Sequence, residues 1–381
     1  MNAVTGRFVE VGASQTSDVA NTRRAELSLD PYIGENGYVQ NAGFVQQPIA
    51  ALEKRDIVGP VAIVLHRTDG ASVDSALNSA KSGIGTHFYV AKDGTVYQAA
   101  SLLKHTSHVG RIRSRCYETN SCPATEMATI RGFGWAPKRV HDHEKIKAYP
   151  VRYPMNEDSV GIETVSRCIR NCGAGDKGVP EWESPTAEQT RSIANLIRIL
   201  KSAYGIGDAD IYEHDLILTK LLARVPVCGS VQEASEMSPS RVGAMSALVS
   251  CAVMAACSGA AGERSKNKSR LHVTAVGPAE YRGAGDDPLE AACGNWTLSP
   301  LQVQTFFRLA EAYEDRPYGH FYQVDCSISG ELQADGNEWR FVINGGGIAT
   351  WQDGDTVRHF GCSAKGCEPL LLLPSDGMEP D

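Results

Sequence analysis

Three polar side chains far apart in the chain sit at or inside candidate strands: His66 after Val61-Ala62-Ile63-Val64-Leu65, Glu163 inside Ser159–Val165 (SVGIETV), and His214 after Asp210-Ile211-Tyr212-Glu213. The first, apolar and β-branched, reads as a strand covered on both faces, the second as another central strand and the third as a short strand or strand end; a residue at the carboxyl end of a buried strand is rigidly held. Two neutral imidazoles with one further N, O or S ligand make the open three-ligand zinc site used in hydrolysis. A carboxyl group beside them can take a proton from water and return it to a leaving group. A single histidine at a strand end is more often a hydrogen-bonded rim residue. Three strand ends carrying this chemistry together point to a hydrolase.

The elements that must position these residues follow from local pattern. Ser72 caps a short helix through Val73, Ala76, Leu77 and Ala80, stopped by Gly83. Thr86–Val90 and Thr95–Gln98 flank Lys92-Asp93-Gly94, and Asp-Gly between β-formers predicts a hairpin. Thr186 with Gln189 forms a capping box, and Ile193, Leu196, Ile197, Leu200 and Tyr204 give one apolar stripe ending at Gly205. Near the carboxyl end Ser299-Pro300-Leu301-Gln302 opens a second capped helix through Val303, Phe306, Phe307 and Ala310. Four β-rich stretches follow it, separated by Asp335-Gly336, Gly345-Gly346 and Asp353-Gly354 turns, which reads as an antiparallel meander.

The expected fold class is therefore α/β, a mixed central β-sheet flanked by helices, with a smaller C-terminal α+β module. Residues 1–55 read as an irregular arm, 56–225 as the domain carrying the three polar residues, 226–274 as a small-residue tract and linker, and 275–381 as the module. Within the domain, residues 111–157 read as a long inserted loop with nine basic and five acidic residues. His141-Asp142-His143 in that insert reads as solvent-exposed loop, with a second metal site as the rival reading.

Composition narrows the class of partner. The 381 residues are 42% hydrophobic and 22% charged, as in ordinary globular proteins. A net charge of −8 lacks the positive field that nonspecific nucleic-acid binding requires. The uncharged run 242–262 is long enough to span a bilayer but consists mainly of Ala, Ser and Gly, so no stable membrane insertion is expected. The amino terminus shows no basic start followed by an apolar stretch, so no Sec signal peptide is expected and synthesis is placed in the cytoplasm. Eleven cysteines fall partly into short-range pairs, Cys116 with Cys122, Cys168 with Cys172, Cys251 with Cys257 and Cys362 with Cys367. Such spacing suits disulfides in an oxidising compartment; a set of reduced, buried thiols is the other reading. Were Cys293 and Cys326 also paired, Cys228 would stand alone.

Read as words, IVLHRT, GTHFYVAKDGTVYQ, HTSHVG, NEDSVGIE, PTAEQTRSIANLIRILKSAYGI and YEHD..LTK occur in the order seen in zinc-dependent N-acetylmuramoyl-L-alanine amidases, and the stretch 57–220 resembles the type 2 amidase and peptidoglycan-recognition-protein superfamily. The resemblance implies a mixed sheet with Zn2+ in a cleft above it and cleavage of the amide between N-acetylmuramic acid and L-alanine of the peptidoglycan stem peptide. It places His66 and His214 on the zinc histidines, Glu163 on the glutamate that acts on water, and Lys220 on the lysine that meets the oxyanion. His108 falls in a cleft-lining motif, Arg67 and Thr68 beside it as substrate-binding residues, and His87 on a structural position. Thr86 stands where some phage-type members have a tyrosine, so the acid/base role rests on Glu163.

One departure bears on activity. The family's third ligand follows the second histidine by eight to ten residues, and Leu222 and Arg224, at those places, bind no zinc. Cys228 is the replacement assigned here because a thiolate suits zinc; Asp215 is the nearer alternative, and replacement of the whole segment from Leu221 to about Gly262 is a third. A non-catalytic muropeptide-binding module is thus the rival reading, and a Cys228 thiol nucleophile a further one. The missing signal, the cysteine pairs and the wall-cutting chemistry together resemble interbacterial amidase effectors, which implies a non-Sec secretion apparatus, action in the periplasm or cell wall, and a cognate immunity protein; a phage lysin would also lack a signal.

Overall fold

The computed structural model describes residues 30–57, 59–172, 180–217, 271–283 and 287–380. Three two-residue strands, β1 (Tyr32–Ile33), β2 (Val39–Gln40) and β3 (Val45–Gln46), precede β4 (Ala62–Arg67), α1 (Val73–Ala80), β5 (Phe88–Val90) and β6 (Val96–Gln98). The insert then contributes α2 (Arg115–Glu118), α3 (Ala124–Phe133) and α4 (Pro137–Lys145). After it come β7 (Ser159–Thr164), the small hairpin β8 (Cys168–Arg170) and β9 (Glu181–Trp182), α5 (Ala187–Tyr204), β10 (Ile211–Glu213) and α6 (His214–Ile217). The central sheet runs β10-β4-β7-β5-β6-β3, mixed, with β5 and β6 the antiparallel pair. The described part of the arm is thus joined to this sheet, since β3 lies parallel to β6 at its edge.

Side chains alternate across a strand, so β4 divides its apolar residues between two layers. Ile63 and Leu65 join Phe88, Val90, Val160 and Ile162 under Ile193, Leu196 and Leu200 of α5. That helix starts where Thr186 accepts from the Gln189 N–H at 3.0 Å and stops at Gly205, whose φ of 70° is the left-handed conformation of a helix C-terminus. Ala62 and Val64 face the other way, into a core shared with the C-terminal residues.

Those residues form β11 (His272–Tyr281), α7 (Pro288–Asn295), α8 (Pro300–Leu309), β12 (Glu311–Tyr313), β13 (Cys326–Ala334), β14 (Asn337–Asn344), β15 (Ile348–Asp353) and β16 (Thr356–Gly361). Their antiparallel sheet is ordered β11-β13-β14-β15-β16-β12, so the expected meander and the helix before it are present. Its core is continuous with the first sheet: Ala62, Val64, Val109, Ile112 and Tyr212 share one buried cluster with Val303, Phe306, Tyr322 and Phe341. The C-terminal module is therefore a second wall of the same body.

Two expectations are corrected. The insert is helical over much of its length instead of loop; Pro123 and Pro137 stand at helix starts, and with Ile130 the main buried apolar residue of α3, the stripe that would betray a helix is nearly absent. His141, expected on an exposed loop, lies on α4 at 2% exposure and takes the backbone N–H of Ile112 at 3.2 Å. Disulfides join Cys116–Cys122, Cys168–Cys172, Cys293–Cys326 and Cys362–Cys367. The pair Cys251 and Cys257 and the apolar run 242–262 lie outside the described residues. Among the described residues no helix is long and apolar enough to cross a membrane.

Candidate functional site

Strand parity places the site. On β4 His66 points to the same side as Ala62 and Val64, and on β7 Glu163 lies opposite in direction to Ile162; the parallel register sets His66 beside Glu163 and Glu163 beside Tyr89 of β5. His214 follows Glu213, which pairs with Leu65, so it arrives next to His66 at the carboxyl ends of adjacent strands. The two rings lie 4.1 Å apart between centroids. His66, Glu163 and His214 are all buried. The three residues singled out from strand ends are therefore one cluster, in the direction the C-terminal module covers.

His108 completes a row of imidazoles. Its Nδ1 is 3.1 Å from His66 Nε2, its Nε2 is 3.3 Å from the Ser159 hydroxyl, and its backbone N–H donates to Asn156 Oδ1 at 3.0 Å. Burial, then the neighbouring His66 and His87, hold its pKa well below the usual imidazole value, so it is neutral. Gly161 is what admits it: a Cβ there would come within 2.9 Å of His108 Nδ1 and 2.8 Å of Thr86 Cγ2.

His87 has the structural role expected of it. Its Nε2–H donates to the Lys104 carbonyl at 2.9 Å while Nδ1 accepts the Gly161 N–H at 3.2 Å, which fixes one neutral tautomer. Burial lowers its pKa to about 4. Tyr89, which sequence reasoning passed over as a strand residue, stands beside Glu163; burial and then that carboxylate raise its pKa, so the phenol keeps its proton. Its hydroxyl accepts the Thr86 N–H at 3.2 Å.

The cleft over this row is lined by His66, Thr68, Tyr89, His108 and Glu163 on the sheet side and by residues Arg316 to His320 opposite. Thr68 lines it, but its hydroxyl is engaged in the turn after β4, donating to the Ser166 carbonyl and accepting the Gly70 N–H. Arg67 is not brought into the cleft: it shares the parity of Ile63 and Leu65, and its guanidinium lies 5.1 Å from the Trp182 ring centroid at the rim. Lys220 and Cys228 lie outside the described residues.

A zinc ion can be tested against the donors present. His66 and His214 both offer imidazole nitrogens, the donor type zinc takes, and their rings lie 4.1 Å apart between centroids. Among the described residues, clusters of three potential ligand atoms occur at His105, Glu157 and Glu379 and at Glu126, His143 and Glu144. Arg55 bridges the two glutamates of the first, and Lys147 bridges Glu126 and Glu144 in the second, so cations of the chain already occupy both.

The site is thus a cleft at the carboxyl ends of a mixed sheet, with two facing histidines and a buried glutamate in register. Residues 58–224 match the family model described as N-acetylmuramoyl-L-alanine amidase. Solved structures similar to the chain include a selenomethionine derivative of AmpD, at 15% identity over 49% of this chain and 89% of that one with a TM-score of 0.32. The catalytic domain of XlyA is 18% identical over 45% and 84%, TM-score 0.26. AmiD from E. coli, in complex with the substrate anhydro-N-acetylmuramic acid-L-Ala-D-gamma-Glu-L-Lys, is 17% identical over 49% and 57%, TM-score 0.28. No curated protein matches the chain.

Proposed function

We propose that the protein is a peptidoglycan hydrolase that cuts the amide between N-acetylmuramic acid and the L-alanine of the stem peptide. The observation that carries this reading is the convergence of His66, His214 and Glu163 at neighbouring strand ends; the family match over 58–224 supports the amidase class and a peptidoglycan substrate. His66 and His214 would hold Zn2+, which when bound supplies Lewis acidity to the scissile carbonyl and makes water a nucleophile near neutral pH. Glu163 takes the proton from the attacking water and returns it to the departing alanine nitrogen, a contribution of about 100- to 10,000-fold. Neutral His108 holds His66 in place by the hydrogen bond between their ring nitrogens. Cys228 is the proposed third ligand and Lys220 the group that meets the developing negative charge. Purified protein incubated with peptidoglycan should release stems with free L-alanine amino ends, and chelation should stop it; binding of muropeptides with neither metal nor cleavage would favour a recognition module.

The disulfides fit an oxidising compartment. We propose a site of action in the periplasm or cell wall, a reading the disulfides support, with a dedicated secretion apparatus and a cognate immunity protein as partners. Toxicity confined to periplasm-directed expression is the expected result; equal toxicity from the cytoplasm would contradict it.

A further inference from the structure

The wall facing His66 and Glu163 is a short segment of the C-terminal module between β12 and β13, and it leaves the cleft a volume of only about 50 Å3. Pockets that hold drug-sized ligands measure about 300–1,000 Å3, so a disaccharide with its stem peptide does not fit while this segment is in place. Its contacts run to the rim, away from the imidazole row. Ser75 donates to Asp315 at 2.6 Å and Ser79 lies 2.9 Å from His320 Nε2, both from α1. Arg316 reaches buried Asp69 at 3.5 Å and donates to Gln323 Oε1 at 2.9 Å. Tyr318 packs edge-on against Trp182, 5.2 Å between centroids.

We propose that residues 315–320 are an autoinhibitory strap, which must leave α1 and Trp182 before a muropeptide reaches the site. The module carrying it cannot simply lift off. Its core is continuous with the central sheet, and its carboxyl end is tied down where Asn156 donates to the Met378 carbonyl at 2.7 Å and Ser107 to Glu379 at 2.7 Å. By contrast the strap meets the rim through side-chain contacts that include two serine hydrogen bonds, one ion pair and one ring contact, so opening is a local motion of the strap over a fixed frame. The proposal rests on the amidase reading for the identity of the substrate, but the covering of the cleft does not.

The test therefore reads access and catalysis separately. Diethylpyrocarbonate modifies the neutral imidazoles it can reach; His108 lines the cleft, whereas His87, fully buried, does not and serves as the internal control. The S75A/S79A variant removes both α1 contacts while placing a better helix former at each position; Tyr318→Ala is the second, independent variant. Each should speed modification of His108 about tenfold relative to His87, read by peptide mass spectrometry, and raise kcat/KM on a soluble muropeptide by a similar factor. Unchanged His108 modification in both variants would overturn the strap. Faster modification with no cleavage by any form would leave the strap standing and remove the amidase reading.

Discussion

Replacing Asp325 by Asn should change how stability depends on pH, because this carboxyl group sits half-buried where the module meets the insert. Burial, and then the nearby Asp287, push its pKa from 3.8 up to about 7, with Arg113 pulling the other way. Below 3.8 the folded and unfolded chains both hold the proton. Between 3.8 and about 7 the unfolded chain releases it and the folded chain keeps it, so stability falls as pH rises; above about 7 both are ionised and the loss is complete. The interval would correspond to a ceiling of about 4 kcal/mol at ~1.36 kcal/mol per decade. Partial solvent access reduces this to ~1–2 kcal/mol. Other groups titrate in the same window: burial lowers His87, His141 and His320 to about 4, which makes stability rise with pH up to about 6.5. Those groups are common to both proteins, so the difference between them isolates Asp325. Urea titrations at several pH values should show Asp325→Asn gaining ~1–2 kcal/mol on the wild type between pH 4.5 and 7.5 and no more above that. A difference that stays constant across this range would refute the burial argument.

The remaining predictions concern the shared core and the frame of the site. Phe306 is fully buried between the module's sheet and the rest of the core; Phe306→Ala should cost about 3–5 kcal/mol and destabilise both halves in one transition, seen as coincident urea curves by tryptophan fluorescence and far-UV circular dichroism. Asn156 Oδ1 accepts the backbone N–H groups of His108 and Val109; Asn156→Ala strands both and should lower stability by about 1–3 kcal/mol, with a drop in turnover larger than the change in KM. Cys293 and Cys326 close a loop of 33 residues; replacing both by Ala should lower stability by about 3–4 kcal/mol in chemical denaturation.

What could be read from sequence was what local pattern determines. The two-sided apolar run before His66 predicts a central strand because each face of that strand meets its own buried layer. The capping boxes at Thr186 and Ser299 fix helix starts through hydrogen bonds three residues away. The insert was harder: α3 and α4 bury few apolar side chains, so a helix leaves little periodicity. Nonlocal facts were out of reach. No pattern near Arg316 or His320 reveals that they face His66 across a cleft, nor does the tract before β11 show that Tyr322 and Phe306 share a core with Val64. Tyr89 was hidden in the same way, since its place beside Glu163 follows from strand order.

The account depends most on Glu163 acting on water beside an ion held by His66 and His214. Zinc content and hydrolysis of a soluble muropeptide, measured together on wild type, Glu163→Gln and a His66→Ala/His214→Ala variant, test this directly. About one zinc per chain is expected in the first two proteins and none in the third, with cleavage at least ~100-fold slower in Glu163→Gln. Zinc bound equally well without the two histidines, or full cleavage by Glu163→Gln, would contradict it.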